Sequence, residues 1–258
     1  MRKGTQKRSP NGAAARFFAA ALALCVWQAG AMALGNELLL VTPIAVARRL
    51  CELIATADFW ATLGFTFSRI SLGFLLALAL AAVLAALAAA VPLLETLLRP
   101  YVAAIQSVPV ASFIVIAFLW LSAQRLSTFI AFLMVFPVLY TNLLQGIRAA
   151  DRDLLEMADV FRLSPARRVR CIYLPALRGP LFAACRVALG LCWKAGVAAE
   201  VIGVVARSVG GKLYDAKAYL EIADLFAWTA VIVAVSALFE RVFLFLLGRI
   251  FDALEHAV

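Results

Sequence analysis

Residues 70–94 read ISLGFLLALALAAVLAALAAAVPLL, an uncharged stretch that lies between Arg69 and Glu95. Such a stretch is typical of a transmembrane helix, because about 20 apolar residues are needed to cross the hydrocarbon layer of a bilayer. The rest of the chain has the same character, since 65% of its 258 residues are hydrophobic and 15% are charged. A soluble domain has roughly 45–50% apolar and roughly 25% charged residues. The composition therefore argues against a soluble enzyme and predicts an all-α integral membrane protein.

The distribution of apolar residues predicts six transmembrane helices within one domain at 17–258. These helices are expected at about 17–36, 68–91, 101–122, 126–147, 181–205 and 225–248. The first four contain long uncharged runs, whereas charged side chains interrupt the last two. An alternative for the first run is a secretory signal peptide that ends near Ala31-Met32-Ala33.

The basic residues predict the orientation of these helices. Cytoplasmic loops of membrane proteins are enriched in Lys and Arg, and the N-terminal tail at 1–16 carries Arg2, Lys3, Lys7, Arg8 and Arg16. A cytoplasmic N-terminus and six crossings place the C-terminus in the cytoplasm. The segment 148–180, which holds seven arginines, falls on the same side. The net charge of +9 is thus explained by topology rather than by nucleic-acid binding.

A helix on the outer surface is predicted within residues 38–58. Thr42 followed by Pro43 is typical of an N-cap and a first helical position. An apolar stripe follows at Ile44, Ala47, Leu50, Leu53 and Ile54, and the side chains expected to face away from it are Arg48, Arg49 and Glu52. This pattern favours a helix that lies in the membrane interface.

The segment 148–180 is polar but strongly organised. Asp153 and Glu156 have the spacing of a capping box, in which both side chains bond free N–H groups at a helix start. An apolar stripe at helical spacing follows, formed by Leu154, Met157, Ala158 and Phe161. Ser164-Pro165 is expected to begin a second helix, and Pro175 is expected to end it. The first helix is either an inert linker on the bilayer surface or a docking element for a cytoplasmic partner.

Residues 156–175, EMADVFRLSPARRVRCIYLP, resemble the cytoplasmic "EAA" signature of bacterial ABC-importer permeases. The residues that match it in register are Glu156, Ala158, Ile172, Leu174 and Pro175. Met157 replaces an alanine, and Arg162 stands where the family usually has a glycine that allows a sharp turn. Similarity to the nitrate/sulfonate/taurine-type branch extends over about residues 40–245. It is carried by Ser68, Arg69 and Gly73, by Ser107, Pro109, Ala111 and Trp120, by Phe136, Pro137, Asn142 and Gly146, and by Trp193, Ala199 and Glu200.

The resemblance implies a multi-pass subunit of an ATP-driven importer in the bacterial inner membrane. Its expected partners are a cytoplasmic ATPase dimer, a second permease subunit in a homodimer, an extracytoplasmic solute-binding protein and the lipid bilayer. The residues expected to contact the ATPase are Asp153, Leu154, Glu156, Met157, Ala158, Phe161, Arg162, Leu163 and Pro175. ATP and Mg²⁺ would be bound by the partner, because Gly210-Gly211-Lys212-Leu213 lacks the first glycine and the hydroxyl of a P-loop. We therefore expect a transport subunit that is not an enzyme and holds no cofactor.

Five residues are candidates for the translocation path, namely Ser107, Pro109, Asn142, Lys194 and Glu200. Ionisable residues within transmembrane helices are by default functional, and a proline such as Pro109 could either free carbonyl groups that line a cavity or kink its helix for packing alone. Lys194 could attract an anion such as sulfonate, taurine or nitrate, or pair with a carboxylate of another helix. Glu200 could close a gate or meet interfacial water, and Asn142 could bond a neighbouring helix. The alternative function is a stand-alone secondary transporter, although no inverted repeat is recognisable.

Overall fold

The computed structural model describes residues 11–36 and 39–256, all within helices and short connections. The helices are α1 (Asn11–Leu34), α2 (Pro43–Ile54), α3 (Ala57–Ala90), α4 (Pro92–Ser107), α5 (Val110–Phe118), α6 (Ala123–Arg148), α7 (Arg152–Val160), α8 (Pro165–Arg168), α9 (Leu174–Ile202), α10 (Val209–Ala218) and α11 (Ile222–His256). A π-helical turn at Val169–Tyr173 joins α8 to α9. The predicted tail at 1–16 lies mostly outside the described residues, and the all-α class is confirmed for the remainder.

Within the described ranges, four helical segments are long and apolar enough to cross a membrane. They are α3, α6, the continuous segment Pro165–Ile202, and α11 over Ile222–Leu254. A fifth arises if α4 and α5 form one span, although these two helices are bent by 101°. The apolar part of α1, Phe18–Leu34, is a shorter helix. The protein is therefore a multi-pass membrane protein, and the count of six stays a prediction.

The centre of the fold is the packing of α6 against both α3 and α9. Small residues on α3 allow this close approach, because a Cβ atom on Gly73 would lie 2.4 Å from the carbonyl oxygen of Thr128 on α6. Ala77, Ala81 and Ala85 continue the same face and are fully buried. Small residues at this four-residue spacing allow membrane helices to pack closely.

Ion pairs join the helix ends at the side of the molecule where α7 lies, called here the α7 end. Arg148 at the end of α6 donates two hydrogen bonds to Glu95 in the first turn of α4. Arg178 near the start of α9 contacts Asp252 near the end of α11, at 2.7 Å. The starts of α4 and α9 therefore meet the ends of α6 and α11 at this end.

The opposite side of the molecule, the α10 end, is closed by α2, α10 and the start of α11. The predicted cap of α2 is confirmed, since Thr42 accepts a hydrogen bond from Ala45 N at 3.3 Å. Arg49, which is predicted to face away from the apolar stripe of α2, reaches the first turn of α11. Arg49 Nη2 donates to Asp224 Oδ2 at 2.9 Å, and this partner together with Glu52 raises the pKa of the guanidinium. This pair ties the surface helix to the first turn of α11.

The predicted third span at 101–122 is not one continuous helix. The helix is interrupted at Val108-Pro109, between α4 and α5. Pro109 is the N-cap residue of α5. A proline cannot donate a backbone hydrogen bond and its ring clashes with the preceding turn, so it favours a helix start over a helix interior. In α6, by contrast, Pro137 is accommodated within a helix that runs from Ala123 to Arg148.

Candidate functional site

The helix α7 begins two residues earlier than the capping box predicts. Asp151 is the N-cap residue, and its Oδ1 atom accepts a hydrogen bond from Asp153 N at 2.9 Å. The predicted capping role of Asp153 is therefore wrong. Asp153 instead lies in the first turn, where its negative charge interacts favourably with the positive end of the helix dipole.

The apolar residues of α7 are divided between two faces. Ala158 is fully buried and packs with Ala150 and Ile172, with Leu155 against the same cluster. A second set points outward: Leu154 is 41% exposed, Met157 48%, Val160 79% and Phe161 71%. We call these four residues the α7 patch. Residues three and four positions apart lie on one side of a helix, so α7 presents an apolar surface outward while Leu155 and Ala158 hold it to the protein.

The turn that ends α7 has the backbone conformation usually supplied by glycine. Arg162 has a φ of +48°. Its N–H donates to Asp159 O at 3.1 Å, and Leu163 N donates to Ala158 O at 2.9 Å. This pair of bonds is a Schellman cap, whose penultimate residue adopts the left-handed conformation. The sharp turn is thus made with an arginine, at the energetic cost of placing a Cβ atom in that region.

Arg168 fixes α7 relative to the next helix. Its Nε atom donates to Leu163 O at 3.1 Å, its Nη2 atom donates to Ala158 O at 3.4 Å, and Nη2 also lies 2.6 Å from Asp159 Oδ1. Arg168 therefore bonds the carbonyl of Leu163 and adds a second donor to that of Ala158, which already accepts from Leu163 N. The connection between α7 and α8 is thus held by three contacts of one side chain.

The second helix of the segment 148–180 does not end at Pro175 as predicted. Its start at Ser164-Pro165 is confirmed, but the chain continues through the π-helical turn into α9, and Pro175 lies in the first turn of that helix. Pro175 has no N–H to donate, and it directly follows a turn in which the hydrogen bonds are already shifted to π-helical spacing, with Leu174 N donating to Val169 O. The segment Pro165–Ile202 thus connects α7 directly to the helix that carries Lys194 and Glu200.

Lys194 lies on an open face of α9. Ala183, Val187 and Lys194 are exposed along this face, and Gly190 between them is partly exposed. In the part of the chain that the structure describes, Lys194 forms no ion pair with a carboxylate. Its positive charge is therefore presented to whatever covers this face of α9.

Glu200 is fully buried between α3, α9 and α10. Its Oε2 atom accepts hydrogen bonds from Thr66 Oγ1 at 2.9 Å and from Gly210 N at 3.1 Å. Thr66 Oγ1 in turn accepts from Val209 N at 2.9 Å. We call these four residues the Glu200 cluster. A buried carboxylate is costly unless it is hydrogen-bonded, so the cluster holds the start of α10 against α3 and α9.

The sequence singled out Glu200 but not its partners. Thr66 lies 134 residues away and carries no local signal. Gly210 does have a signal, because paired glycines follow Ser208, whose side chain caps α10 by accepting from Gly211 N at 2.9 Å. A Cβ atom on Gly210 would lie 2.3 Å from Glu200 Cβ, so only glycine fits there without movement of the backbone.

The other candidate path residues bond within their own helices. Ser107 Oγ donates to Ala104 O at 3.1 Å, at the end of α4. Asn142 Nδ2 donates to Val138 O at 2.8 Å, so the hydrogen bond expected between helices is made within α6 instead. Among residues 11–36 and 39–256, no hydrogen bond joins any two of Ser107, Asn142, Lys194 and Glu200. Their shared role in a path stays a prediction.

Comparison with known proteins identifies the family that this chain matches. The family model described as "binding-protein-dependent transport system inner membrane component" matches residues 77–257. The match begins within α3 and covers every later helix, including α7 and the whole of Pro165–Ile202.

Three relatives that this chain resembles are named for different transport systems. SsuC of Bacillus subtilis, assigned as an aliphatic sulfonates transport permease protein, is 28% identical over 221 residues, which are 84% of this chain and 79% of that protein. The bicarbonate transport system permease protein CmpB of a Synechocystis species is 28% identical over 71% of this chain and 65% of its own length. The riboflavin transport system permease protein RibX of Chloroflexus aurantiacus is 28% identical over 85% of each chain.

Proposed function

Because this chain belongs to the family of binding-protein-dependent transport system inner-membrane components, we propose that it forms the solute path of an ABC importer and couples that path to a separate ATPase. The observation that carries the coupling role is the α7 patch, an exposed apolar surface on a helix whose other face is anchored. An amphipathic helix of this kind fits an apolar groove of a partner protein. The six spans, the cytoplasmic termini and the pairing with a second copy belong to the same proposal.

In the proposed coupling, the residues of the segment 148–180 have separate roles. The α7 patch would enter the groove of the ATPase, which itself binds ATP and Mg²⁺. Arg168 and the Schellman cap at Arg162 would keep α7 from rotating when the groove moves. Leu155 and Ala158 would pass the displacement to Ile172, within the π-helical turn that leads into α9.

We propose a small anion as the substrate. Two of the three relatives are named for anions, sulfonates and bicarbonate, and the third for riboflavin. Lys194 supports an anionic substrate. It is an exposed cation within a transmembrane helix and has no carboxylate partner in the described residues, so it favours a negatively charged solute on the face that it lines. The family description, which names dependence on a binding protein, supports delivery of the solute by an extracytoplasmic binding protein.

The test of the coupling role is Phe161→Asp, measured by co-purification of the ATPase from native membranes. A charge in the centre of an apolar contact is costly to bury, so we expect the ATPase to be lost while membrane insertion is unchanged. The matched control is Val169→Asp, the same kind of change at an exposed apolar residue outside the α7 patch. Undiminished co-purification with Phe161→Asp would refute the docking role.

A further inference from the structure

A groove of about 580 Å³ lies between α3 and α6, and neither Lys194 nor the α7 patch is among its lining residues. Its walls are mostly apolar, with Leu72 and Leu76 from α3 and Phe129 and Phe132 from α6. Two arginines, Arg69 and Arg125, line the same groove. The groove therefore combines an apolar channel with two positive charges.

Neither arginine is neutralised within the described residues. No carboxylate lines the groove, and neither Arg69 nor Arg125 takes part in an ion pair in the part of the chain that the structure covers. The guanidinium of Arg69 lies over the ring of Phe65, 4.0 Å from its centroid. This cation–π contact orients the guanidinium but leaves its N–H groups free for an anionic acceptor.

The charges and the apolar walls lie at different depths. Arg69 is 21 residues from the end of α3 and Arg125 is 23 residues from the end of α6, which places both at roughly 32–35 Å from the α7 end at 1.5 Å per residue. The hydrocarbon layer of a bilayer is about 30 Å thick. Leu72 and Leu76 follow Arg69 toward the α7 end. With the α7 end placed at one interface, a layer of this thickness brings the arginines level with the other interface, and the apolar part of the groove descends into the hydrocarbon.

We propose that this groove binds an anionic phospholipid from the leaflet at the α10 end. Its phosphate and negatively charged headgroup lie at Arg69 and Arg125, and one acyl chain lies along Leu72, Leu76 and Phe132. Arginine bonds phosphate oxygens through two N–H groups at once, and the position of the charges matches the depth of a headgroup. A small transported anion needs the two cations but has no use for the apolar channel below them.

The proposal is tested by native mass spectrometry of the full-length chain in mild detergent, titrated with phosphatidylglycerol, phosphatidylethanolamine or inorganic phosphate. Loss of two basic contacts corresponds to a roughly thirtyfold weaker affinity, and loss of one to roughly fivefold. We therefore expect the double variant Arg69→Gln/Arg125→Gln to bind phosphatidylglycerol roughly thirtyfold more weakly than the wild type. The single variant Arg125→Gln, near the start of α6, tests the same contact with less risk to folding.

Two further variants separate the possible occupants. Leu76→Trp fills the apolar channel with a larger side chain. It should therefore weaken the binding of both phospholipids several-fold and leave the binding of inorganic phosphate unchanged. The matched control is Arg249→Gln, which removes an arginine that also lies over a phenylalanine ring, Phe245 at 5.7 Å, but on α11. This control should bind phosphatidylglycerol as the wild type does.

Three results would overturn the proposal. Equal affinity of the wild type and Arg125→Gln for phosphatidylglycerol would remove the role of the charges. Phosphate binding as tight as that of phosphatidylglycerol, insensitive to Leu76→Trp, would assign the groove to a small anion. A dimer that carries no lipid and dissociates in the double variant would assign this face to a second copy of the chain. None of these results bears on ATPase docking, which Phe161→Asp tests separately.

Discussion

The contact between Gly210 and Glu200 gives a quantitative prediction for the variant Gly210→Ala. The added Cβ atom would lie 2.3 Å from Glu200 Cβ and 2.7 Å from Val201 N. Ordinary contacts between such atoms are about 3.5 Å or more, and Val201 N belongs to the backbone of α9. The start of α10 must therefore move away from α9 by about 1 Å. The hydrogen bonds from Gly210 N to Glu200 and from Val209 N to Thr66 would then be stretched or lost.

The expected loss of stability follows from these contacts. Overpacking of a buried site costs about 1–3 kcal/mol, and each buried group left without a partner costs about 1–3 kcal/mol. The free energy of unfolding should thus fall by at least about 3 kcal/mol. For a chain of this size that corresponds to a decrease in Tm of roughly 6–12 °C.

The assay is thermal unfolding of the purified chain in detergent, followed by circular dichroism. The matched control is Gly64→Ala on α3, where a Cβ atom meets nothing within 4 Å, and there we expect stabilisation of up to about 1 kcal/mol from better helix propensity. A Tm of Gly210→Ala within about 2 °C of the wild type would refute the inference that the Glu200 cluster holds α10 in place, since that shift corresponds to under about 1 kcal/mol.

Three further predictions concern the turn after α7, the open face of α9 and the break between α4 and α5. Arg162→Gly should raise the free energy of unfolding by about 0.5–1 kcal/mol, because glycine adopts a φ of +48° without strain; a lower Tm in the thermal assay would contradict this. Lys194→Ala should reduce the uptake of a small anion into vesicles, whereas Lys194→Arg should retain it, and both variants should keep the wild-type Tm. Unchanged uptake by the alanine variant would exclude a role of Lys194 in the path. Spin labels at Ser107 and Ser112 should change separation on addition of ATP to the assembled transporter, whereas labels at Ala183 and Val201 along α9 should not; equal changes in both pairs would place the motion elsewhere.

Local patterns in the sequence were sufficient to predict most helices. The uncharged runs located α3 and α6, and the Thr42-Pro43 and Ser164-Pro165 pairs located the starts of α2 and α8. These signals depend on residues a few positions apart. The same locality explains the errors at Asp153 and Pro175, since competing signals stood nearby: Asp151 could cap the helix as well as Asp153, and a π-helical turn allowed Pro175 to start a helix instead of ending one.

Contacts between distant parts of the chain could not be predicted in this way. Glu200 was recognisable because a carboxylate within an apolar helix is rare, but Thr66 is an ordinary threonine in α3 until α9 and α10 bring Glu200 to it. The direction of a side chain on its helix is equally dependent on packing. Ala158 and Phe161 belong to one apolar pattern in the sequence, yet the structure buries the first and exposes the second.

Continuous and interrupted helices would have different roles in the proposed coupling. The segment from α7 to Ile202 contains a clamped turn and a continuous helical run, and α9 alone spans 29 residues, or about 43 Å at 1.5 Å per residue. At its far end, the Glu200 cluster joins α9 to α10 and α3. A displacement that enters at the α7 patch would therefore reach the Glu200 cluster through one continuous helical segment, in which the π-helical turn and Pro180 are the points where bending is easiest. The α4–α5 segment, in contrast, is divided at Pro109 and bent by 101°, so a change in the path is expected where the backbone is already interrupted. Short irregular segments at membrane depth are tolerated where they line a cavity or are buried in protein, which is consistent with Ser107 and Pro109 as path residues.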